Sequence, residues 1–273
     1  MRFAIAYSKL NSAGTNIVEQ FRGLAYAPQI PIIELPKDTI FSEDISEKKY
    51  PELRNIDFLI FASTHKSEKG NPSLSLHAPG NWRNADLGGK PGKVCKTSSY
   101  VLKYLFQELN KNYQENKDKL SEEYSITLEV THHGPLTQMP CCFIELGSSP
   151  KQWDDKDAAK IVARTILSLQ NYDSNFIASH QWIPTIGIGG PHYAPNFNKI
   201  QLNSNYAVSH IIPEYCLPIG ENMLTEAEQK TLEQVKEVLI DWKGCGNSES
   251  RQSIINTLEK YGLKYKRTDK VEK

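Results

Sequence analysis

Short apolar and β-branched runs alternate along this chain with longer segments that carry apolar residues at helical spacing. The short runs are typical of buried strands, and the longer segments are typical of amphipathic helices. The predicted strands are residues 2–7, 31–35, 56–63, 125–132, 141–146, 182–187, 208–213 and 238–242. The predicted helices are residues 15–24, 98–117, 151–172, 226–236 and 248–261. Strands interleaved with helices predict an α/β protein, a three-layer α/β/α sandwich on a mostly parallel mixed sheet.

The chain shows no sign of division into parts. No internal repeat, low-complexity tract or linker rich in Pro, Gly and Ser interrupts its 273 residues. The polar stretch 110–124 is predicted to be a surface excursion. A chain of this length is long enough for one large domain, so we expect a single domain over residues 1–273.

The composition is that of an ordinary soluble globular protein, with 39% apolar and 23% charged residues. Lys and Arg number 32, as do Asp and Glu, so the formal net charge is zero and any contact with nucleic acid must be local. No apolar run approaches the roughly 20 residues of a membrane helix, and the N-terminal apolar run is too short for a signal peptide. The five cysteines form no CxxC pair, so neither a disulfide framework nor a cysteine zinc site is indicated, and a reducing cytoplasm is expected.

The histidines are unevenly distributed. Six of the seven lie in segments rich in Gly or Pro near predicted strand ends, namely His65, His77, His132, His133, His192 and His210. The seventh, His180, lies in a polar stretch and is interpreted as incidental. A lone histidine is usually a surface or core residue with a satisfied ring. Active sites of open α/β sheets gather at strand ends, however, so six histidines in this pattern favour one shared site.

The histidine segments carry the residue types of a metal site. Neutral imidazole is the commonest metal ligand, and hydrolytic zinc sites combine histidine with a carboxylate and one open position. The nearest carboxylates are Glu129, in the EVTHHGP segment, and Glu145, in FIELGSS. The turn at 147–149 leads into a predicted helix. Its backbone amides could hold an oxyanion, or one of its serines could be a plain helix N-cap.

Two motifs combine glycine with an aromatic residue. In GIGGPHYAP, residues 187–195, the spacing does not fit a dinucleotide-binding GxGxxG. Gly189 and Gly190 are instead expected to let the backbone approach a ligand closely, beneath His192 and Tyr193. In HAPGNW, Trp82 follows Asn81 and could stack on a base if exposed, or fill the core if buried.

Basic residues concentrate locally in spite of the zero net charge. Between His65 and Lys96 the chain has six basic and two acidic residues, a net charge of +4. Such a run is usually solvated surface. Its position around His77 is also what a phosphate-contacting collar beside a catalytic pocket requires.

Taken in order, HAPGNW, THHGP, FIELGSS, GIGGPHYAP, SHIIPEY and DWKG resemble the archaeal and plant type of D-aminoacyl-tRNA deacylase. The resemblance extends from about residue 58 to the end of the chain. It implies a phosphorylase/hydrolase-like α/β/α fold and zinc as the cofactor. It also implies hydrolysis of the ester between a D-amino acid and the terminal ribose of tRNA. Cys141 and Cys142 depart from the family pattern and are interpreted as packing residues.

The resemblance carries over the motif residues but not which histidines hold metal, so the roles expected of them come from their chemistry. The expected metal ligands are drawn from His77, His132, Glu145, His192 and His210. The expected catalytic residues are His132, His133 and Glu145. The expected substrate contacts are His77, Asn81, Trp82, Gly189, Gly190, Tyr193 and Lys243. The expected partner is the acceptor end of D-aminoacyl-tRNA, and we expect a cytoplasmic monomer without membrane contact.

The chemistry can also be argued without the resemblance. An aminoacyl ester is already activated, and zinc lowers the pKa of bound water towards about 7. Glu145, in preference to Glu129, is expected to take the proton. Two alternatives remain: a zinc amidohydrolase or exopeptidase on a related sheet, and a non-catalytic tRNA-binding module with structural histidines.

Overall fold

The computed structural model describes residues 1–24 and 30–272. Its strands are β1 (Phe3–Ser8), β2 (Ile32–Leu35), β3 (Phe58–Thr64), β4 (Ser73–His77), β5 (Gly80–Asn81), β6 (Lys93–Val94), β7 (Ser125–Leu128), β8 (Cys141–Gly147), β9 (Ile183–Ile188), β10 (Tyr206–Ile212), β11 (Glu237–Ile240) and β12 (Tyr265–Arg267). Its α-helices are α1 (Ser12–Arg22), α2 (Ser99–Asn116), α3 (Pro150–Trp153), α4 (Lys156–Leu167), α5 (Ser174–Ser179), α6 (Pro195–Asn203), α7 (Glu221–Gln229) and α8 (Ser248–Lys260). Within the described ranges, every helix is too short or too polar to span a bilayer.

Most strands belong to two sheets. The larger sheet has six strands in the order β2-β1-β3-β8-β4-β7, and the smaller has four in the order β10-β9-β11-β12. In the larger sheet β2, β1, β3 and β8 are parallel, whereas β4 pairs antiparallel with β8 and carries β7 parallel to itself. The smaller sheet is parallel throughout. The predicted α/β class with a mostly parallel mixed sheet is therefore confirmed, with the strands divided between two sheets.

Helices cover the sheets through apolar faces. Residues of α1, α2 and α4 pack on one face of the six-stranded sheet, against side chains such as Ile60 and Ile144. Residues of α7 and α8 pack on the four-stranded sheet around Ile186 and Val238. The first cluster also contains Leu239 of the smaller sheet. Because both sheets contribute to one core, we propose a single domain.

Two predicted helices differ from those in the structure. The helix predicted over 151–172 is divided into α3 and α4, because the Asp155 side chain accepts hydrogen bonds from two amides and begins a new helix. The helix predicted over 226–236 is α7, at Glu221–Gln229. It ends early because the Leu232 amide donates to the Thr97 carbonyl at 2.9 Å.

The strand predictions missed β4 and extended β7 too far. In β4 the sequence SLSLH alternates serine with leucine, so it has the pattern of a half-exposed segment, yet the strand is buried on both faces. The strand predicted over 125–132 ends at Leu128. The predicted excursion 110–124 begins only after Asn116, because α2 extends to that residue.

Gly187 is required where α6 crosses β9. A Cβ built on Gly187 lies 2.7 Å from the Phe197 ring, closer than real Cβ contacts allow. We expect Gly187→Ala to lower the free energy of unfolding by about 1–3 kcal/mol through overpacking. Urea denaturation measures the change. Gly220→Ala is the matched control, because no described atom lies within 4 Å of its added Cβ, and equal stability losses in both variants would contradict the packing argument.

Candidate active site

The segment that carries the adjacent histidines crosses from one sheet to the other. The Glu129 amide donates to a carbonyl of β4 at 3.1 Å, and the Thr131 amide donates to a carbonyl of β10 at the same distance. Between them, the Val130 amide donates to the His192 carbonyl at 3.0 Å. Successive amides thus find partners in different parts of the fold. This crossing brings Glu129 and the histidine pair to the line where the two sheets meet.

The six-stranded sheet supplies the other side of the site, because side chains alternate between its two faces. Glu145 of β8 pairs with Ser63 of β3 and with Ser75 of β4, so these three side chains share one face. His77 comes two residues after Ser75, and His65 comes two residues after Ser63. Both rings therefore extend the polar face that Glu145 begins.

The structure brings four of the predicted histidine rings together. The ring centroids of His77 and His132 are 4.3 Å apart, and those of His132 and His192 are 4.6 Å apart. The His133 ring lies 4.4 Å from that of His132 and 4.8 Å from that of His77. Residues separated by more than a hundred positions in the chain thus surround one point.

Backbone carbonyls orient three of these rings in the same way. The Nδ1 atoms of His77, His132 and His133 lie 3.2, 2.8 and 2.6 Å from carbonyl oxygens. A carbonyl can only accept, so each Nδ1 carries the proton and donates. In the neutral form of each ring, Nε2 is then the atom with a free lone pair. Carbonyls that fix a tautomer in this way are typical partners of metal-binding histidines.

Two buried carboxylates lie among the rings. Glu129 Oε2 is 2.9 Å from His192 Nε2 and 3.4 Å from His132 Nε2, and Glu129 Oε1 is 3.0 Å from His65 Nδ1. Glu145 Oε2 lies 3.7 Å from His65 Nδ1 and 3.9 Å from His77 Nε2. The distances around Glu145 exceed those of normal hydrogen bonds.

Charges and burial shift the pKa values within the site. Burial alone lowers the pKa of His65, but the carboxylates of Glu129 and Glu145 outweigh it and raise this pKa to about 11. Burial opposes the charged form of both carboxylates, yet the neighbouring histidines lower the pKa of each. Burial and the nearby His77 lower the pKa of His133 to about 4. His133 is therefore neutral at physiological pH, and both glutamates are ionised.

The donor atoms fall into three groups that could hold a metal ion. These groups are His77, His132 and His133; Glu129, His132 and His192; and His65, Glu129 and Glu145. Within each group the donor atoms lie within 4.8 Å of one another. His77 Nε2 is buried without a hydrogen-bond partner among the described residues, and Glu129 Oε1, although 3.0 Å from His65 Nδ1, makes no hydrogen bond of normal geometry. Unpartnered buried donors of this kind fit a metal ion, because an ion would supply the missing contact.

Two cavities open beside the cluster. The first, of about 480 Å³, we call the Asp38 cavity; its lining includes Asp38, Ile40, Lys66, Glu145 and Trp153. The second, of about 380 Å³, we call the Tyr215 cavity; its lining includes Asn81, Arg83, Asn84, Asp86 and Tyr215. His132, His133 and Leu87 line both cavities. The donor cluster thus lies at their junction.

The remaining predicted site residues lie at different distances from the cluster. The Tyr193 hydroxyl is 3.0 Å from His65 Nε2 and borders the site. Asn81 uses its amide nitrogen to bond the Gly88 carbonyl at 2.8 Å. Trp82 is only 5% exposed and donates to a backbone carbonyl at 3.0 Å, so its ring fills the core and offers no free face to a base.

His210 and Lys243 are not brought into the donor groups. His210 is buried, and its Nδ1 lies 3.1 Å from the Thr131 hydroxyl. Lys243 is exposed and lines a separate cavity of about 240 Å³ with Asp241 and Trp242. His180, interpreted from the sequence as incidental, is exposed and packs on Phe176.

The structure explains the glycines at 189 and 190 and the turn at 147–149. A Cβ on Gly189 would lie 2.4 Å from the Cys245 sulfur, and one on Gly190 would lie 2.9 Å from an Asp241 oxygen. The close approach is thus to the protein's own chain. Ser149 is the N-cap of α3, and its amide donates to the Gln152 side chain at 3.1 Å.

Sequence reasoning gave too little weight to three residues. His65 was among the clustered histidines, but only the structure shows it between the two carboxylates. Glu129 was ranked below Glu145, although it contacts three rings. Tyr215 was missed; an aromatic residue two positions after Pro213 carries no distinguishing signal in the sequence.

Buried imidazole and carboxylate donors beside open cavities, on an α/β fold, are typical of a hydrolase. The chain belongs to the D-aminoacyl-tRNA deacylase family, whose sequence profile matches residues 52–266. It is 31% identical over 278 positions to the D-aminoacyl-tRNA deacylase of Methanocaldococcus jannaschii, covering 98% of this chain and 100% of that protein. It is 30% identical to that of Caldivirga maquilingensis, covering 96% and 98%.

A solved structure has the same fold. The crystal structure of a conserved protein of unknown function superimposes with a TM-score of 0.84 at 25% sequence identity. The match covers 99% of this chain and 96% of that one. The arrangement of both sheets is therefore shared over essentially the whole length.

Proposed function

We propose that this protein hydrolyses the ester between a D-amino acid and the 3′-terminal ribose of tRNA, releasing the free amino acid and tRNA. The observation that carries the proposal is the junction of two cavities at His132 and His133, beside two buried carboxylates, in a member of this family. An ester hydrolase needs space on both sides of the bond that breaks, one side for the acid product and the other for the alcohol product.

Zinc is the proposed cofactor. Its ligands would be drawn from His77, His132, His192 and Glu129, whose nitrogen and oxygen donors suit this ion. Zinc, when bound, lowers the pKa of water to about 7 and polarises a carbonyl oxygen. His210, which was expected among the ligands, is left out of this set because its ring lies beside Thr131.

The two carboxylates have different proposed roles. Glu145 lines the Asp38 cavity, so it can reach an attacking water and accept its proton. Glu129 holds the rings of His65, His132 and His192 in position. His133 lines both cavities with an unprotonated Nε2 and is a second proton acceptor.

Metal removal tests the proposal. We expect dialysis against a chelator to remove bound zinc and to abolish release of D-tyrosine from D-Tyr-tRNA, because the imidazole and carboxylate cluster loses the ion that it is arranged to hold. Added zinc restores both, whereas magnesium, which prefers oxygen ligands, does not. Mass spectrometry measures bound metal, and labelled tyrosine measures hydrolysis.

The same assay separates the alternatives. Cleavage of a blocked peptide without deacylation would indicate an amidohydrolase or exopeptidase. Binding of tRNA that survives chelation, without any ester cleavage, would indicate a non-catalytic module. Full deacylation by metal-free protein would contradict the role of zinc.

The proposed partner is the acceptor end of D-aminoacyl-tRNA. We also propose a cytoplasmic monomer, because charged tRNA is consumed in the cytoplasm and each copy of the chain contains its own donor cluster. Light scattering after gel filtration measures the oligomeric state.

A further inference from the structure

The two cavities differ in ways that distinguish the two halves of an aminoacyl ester. One half is an amino acid with a free ammonium group, and the other is a nucleoside that continues into a polyanionic chain. Both cavities contain His132 and His133, so a bond located at these rings has one cavity on each side. Each half of the substrate can therefore be matched to one cavity by the functional groups in its lining.

The Asp38 cavity has groups that suit the amino acid. Its lining contains the carboxylates of Asp38 and Glu145 together with the basic groups of Lys66 and His65. The Asp38 carboxylate in this wall can pair with an ammonium group. Ile40 and Trp153 supply apolar surface for an amino-acid side chain.

The Tyr215 cavity has features that suit a nucleoside. Tyr215 is 57% exposed, and its hydroxyl lies 3.5 Å from His192 Nδ1, so a large aromatic face lies beside the donor cluster. Exposed aromatic rings next to a basic surface are the usual platform for an unpaired base.

Polar groups surround this aromatic face. Arg83 donates to the carbonyls of Cys216 and Pro218 at 3.0 and 3.1 Å, which fixes a guanidinium at the edge of the cavity. Asn84 adds an exposed amide that can bond a base edge. The basic residues that follow, including Lys90 and Lys96, are exposed and give the continuing phosphate chain a favourable surface.

We propose that the 3′-terminal nucleoside of tRNA stacks on Tyr215 in the Tyr215 cavity, while the amino-acid group occupies the Asp38 cavity. This assignment rests on the proposed function, because it divides that substrate between two places. The assignment makes Tyr215 a substrate-binding residue. Tyr215 takes the place of Trp82, whose ring is buried, as the surface on which the base stacks.

Binding of two tRNAs tests the assignment without depending on catalysis. We compare uncharged tRNA with the same tRNA lacking its terminal adenosine. Wild-type protein is expected to bind the intact tRNA about 5- to 150-fold more tightly, which is the range for one stacked base. In Tyr215→Ala this ratio falls close to one, and in Tyr215→Phe, which keeps the ring, the ratio remains.

Two further variants serve as controls. Tyr261 is 39% exposed and lines neither cavity, so Tyr261→Ala is expected to keep the full ratio. Asp38→Asn is expected to keep the ratio as well, while weakening inhibition by D-tyrosinamide, which carries the ammonium group without a nucleoside. Weaker inhibition in Tyr215→Ala with an unchanged ratio would reverse the assignment of the cavities.

The outcomes also separate this assignment from the proposed function. Failure of wild-type protein to hydrolyse D-Tyr-tRNA would overturn the function. Active wild-type protein with an equal ratio in Tyr215→Ala and wild type would overturn the assignment and leave the function in place.

Discussion

Replacing His132 by alanine is expected to remove both bound zinc and deacylase activity. His132 belongs to two of the three donor groups, and its ring lies within 4.6 Å of those of His77 and His192. Loss of an outer partner of a metal ligand costs roughly 10- to 100-fold in affinity, so loss of a shared donor should cost more. Metal titration and hydrolysis of D-Tyr-tRNA measure the two effects.

His180→Ala is the matched control for this variant. His180 is exposed and belongs to none of the donor groups found within the described residues, so both zinc content and activity should equal those of the wild type. A His132→Ala protein with full zinc and full activity would remove this ring from the mechanism.

Replacing Glu145 by glutamine is expected to lower kcat by about 10²- to 10⁴-fold, the contribution of a positioned general base. The amide has nearly the shape of the carboxylate but cannot accept a proton. Because His132 and His192 remain available to the metal, we expect zinc content and KM to change much less. Steady-state kinetics with D-Tyr-tRNA and metal analysis of the same sample check the expectation.

Glu129→Gln gives the informative comparison. Glu129 contacts three rings and does not appear in the lining of either cavity, so its loss should lower zinc content first and activity as a result. If Glu129→Gln retains zinc but loses kcat while Glu145→Gln remains active, the assigned roles of the two carboxylates are exchanged.

Local patterns predicted most of the secondary structure because they depend on near neighbours in the chain. The apolar runs that form β1, β3 and β8 are buried in the structure, as their composition predicts. The prediction failed for β4, whose serines are buried. Ser75, for example, lies beside Glu145 on the polar face of the sheet. A serine that lies next to a buried carboxylate on the neighbouring strand cannot be distinguished from an exposed serine in the sequence alone.

The candidate site could be predicted in part for a related reason. Six of the seven histidines lie near Gly and Pro, and this uneven distribution is a visible signal. The same signal included His210, which the structure places beside Thr131 and outside the donor groups. Two histidines at strand ends look alike in sequence, and only the direction of each strand decides which ring enters the site.

The sequence by itself determined the α/β class, the positions of most elements and the residue types from which a metal site could be built. Tertiary structure alone decided which of these residues meet. The amides of Glu129 and Thr131 bond to different sheets, and this long-range pairing places His132 and His133 between two cavities. Side-chain periodicity is a property of neighbouring residues, whereas a shared site depends on hydrogen bonds between segments far apart in the chain.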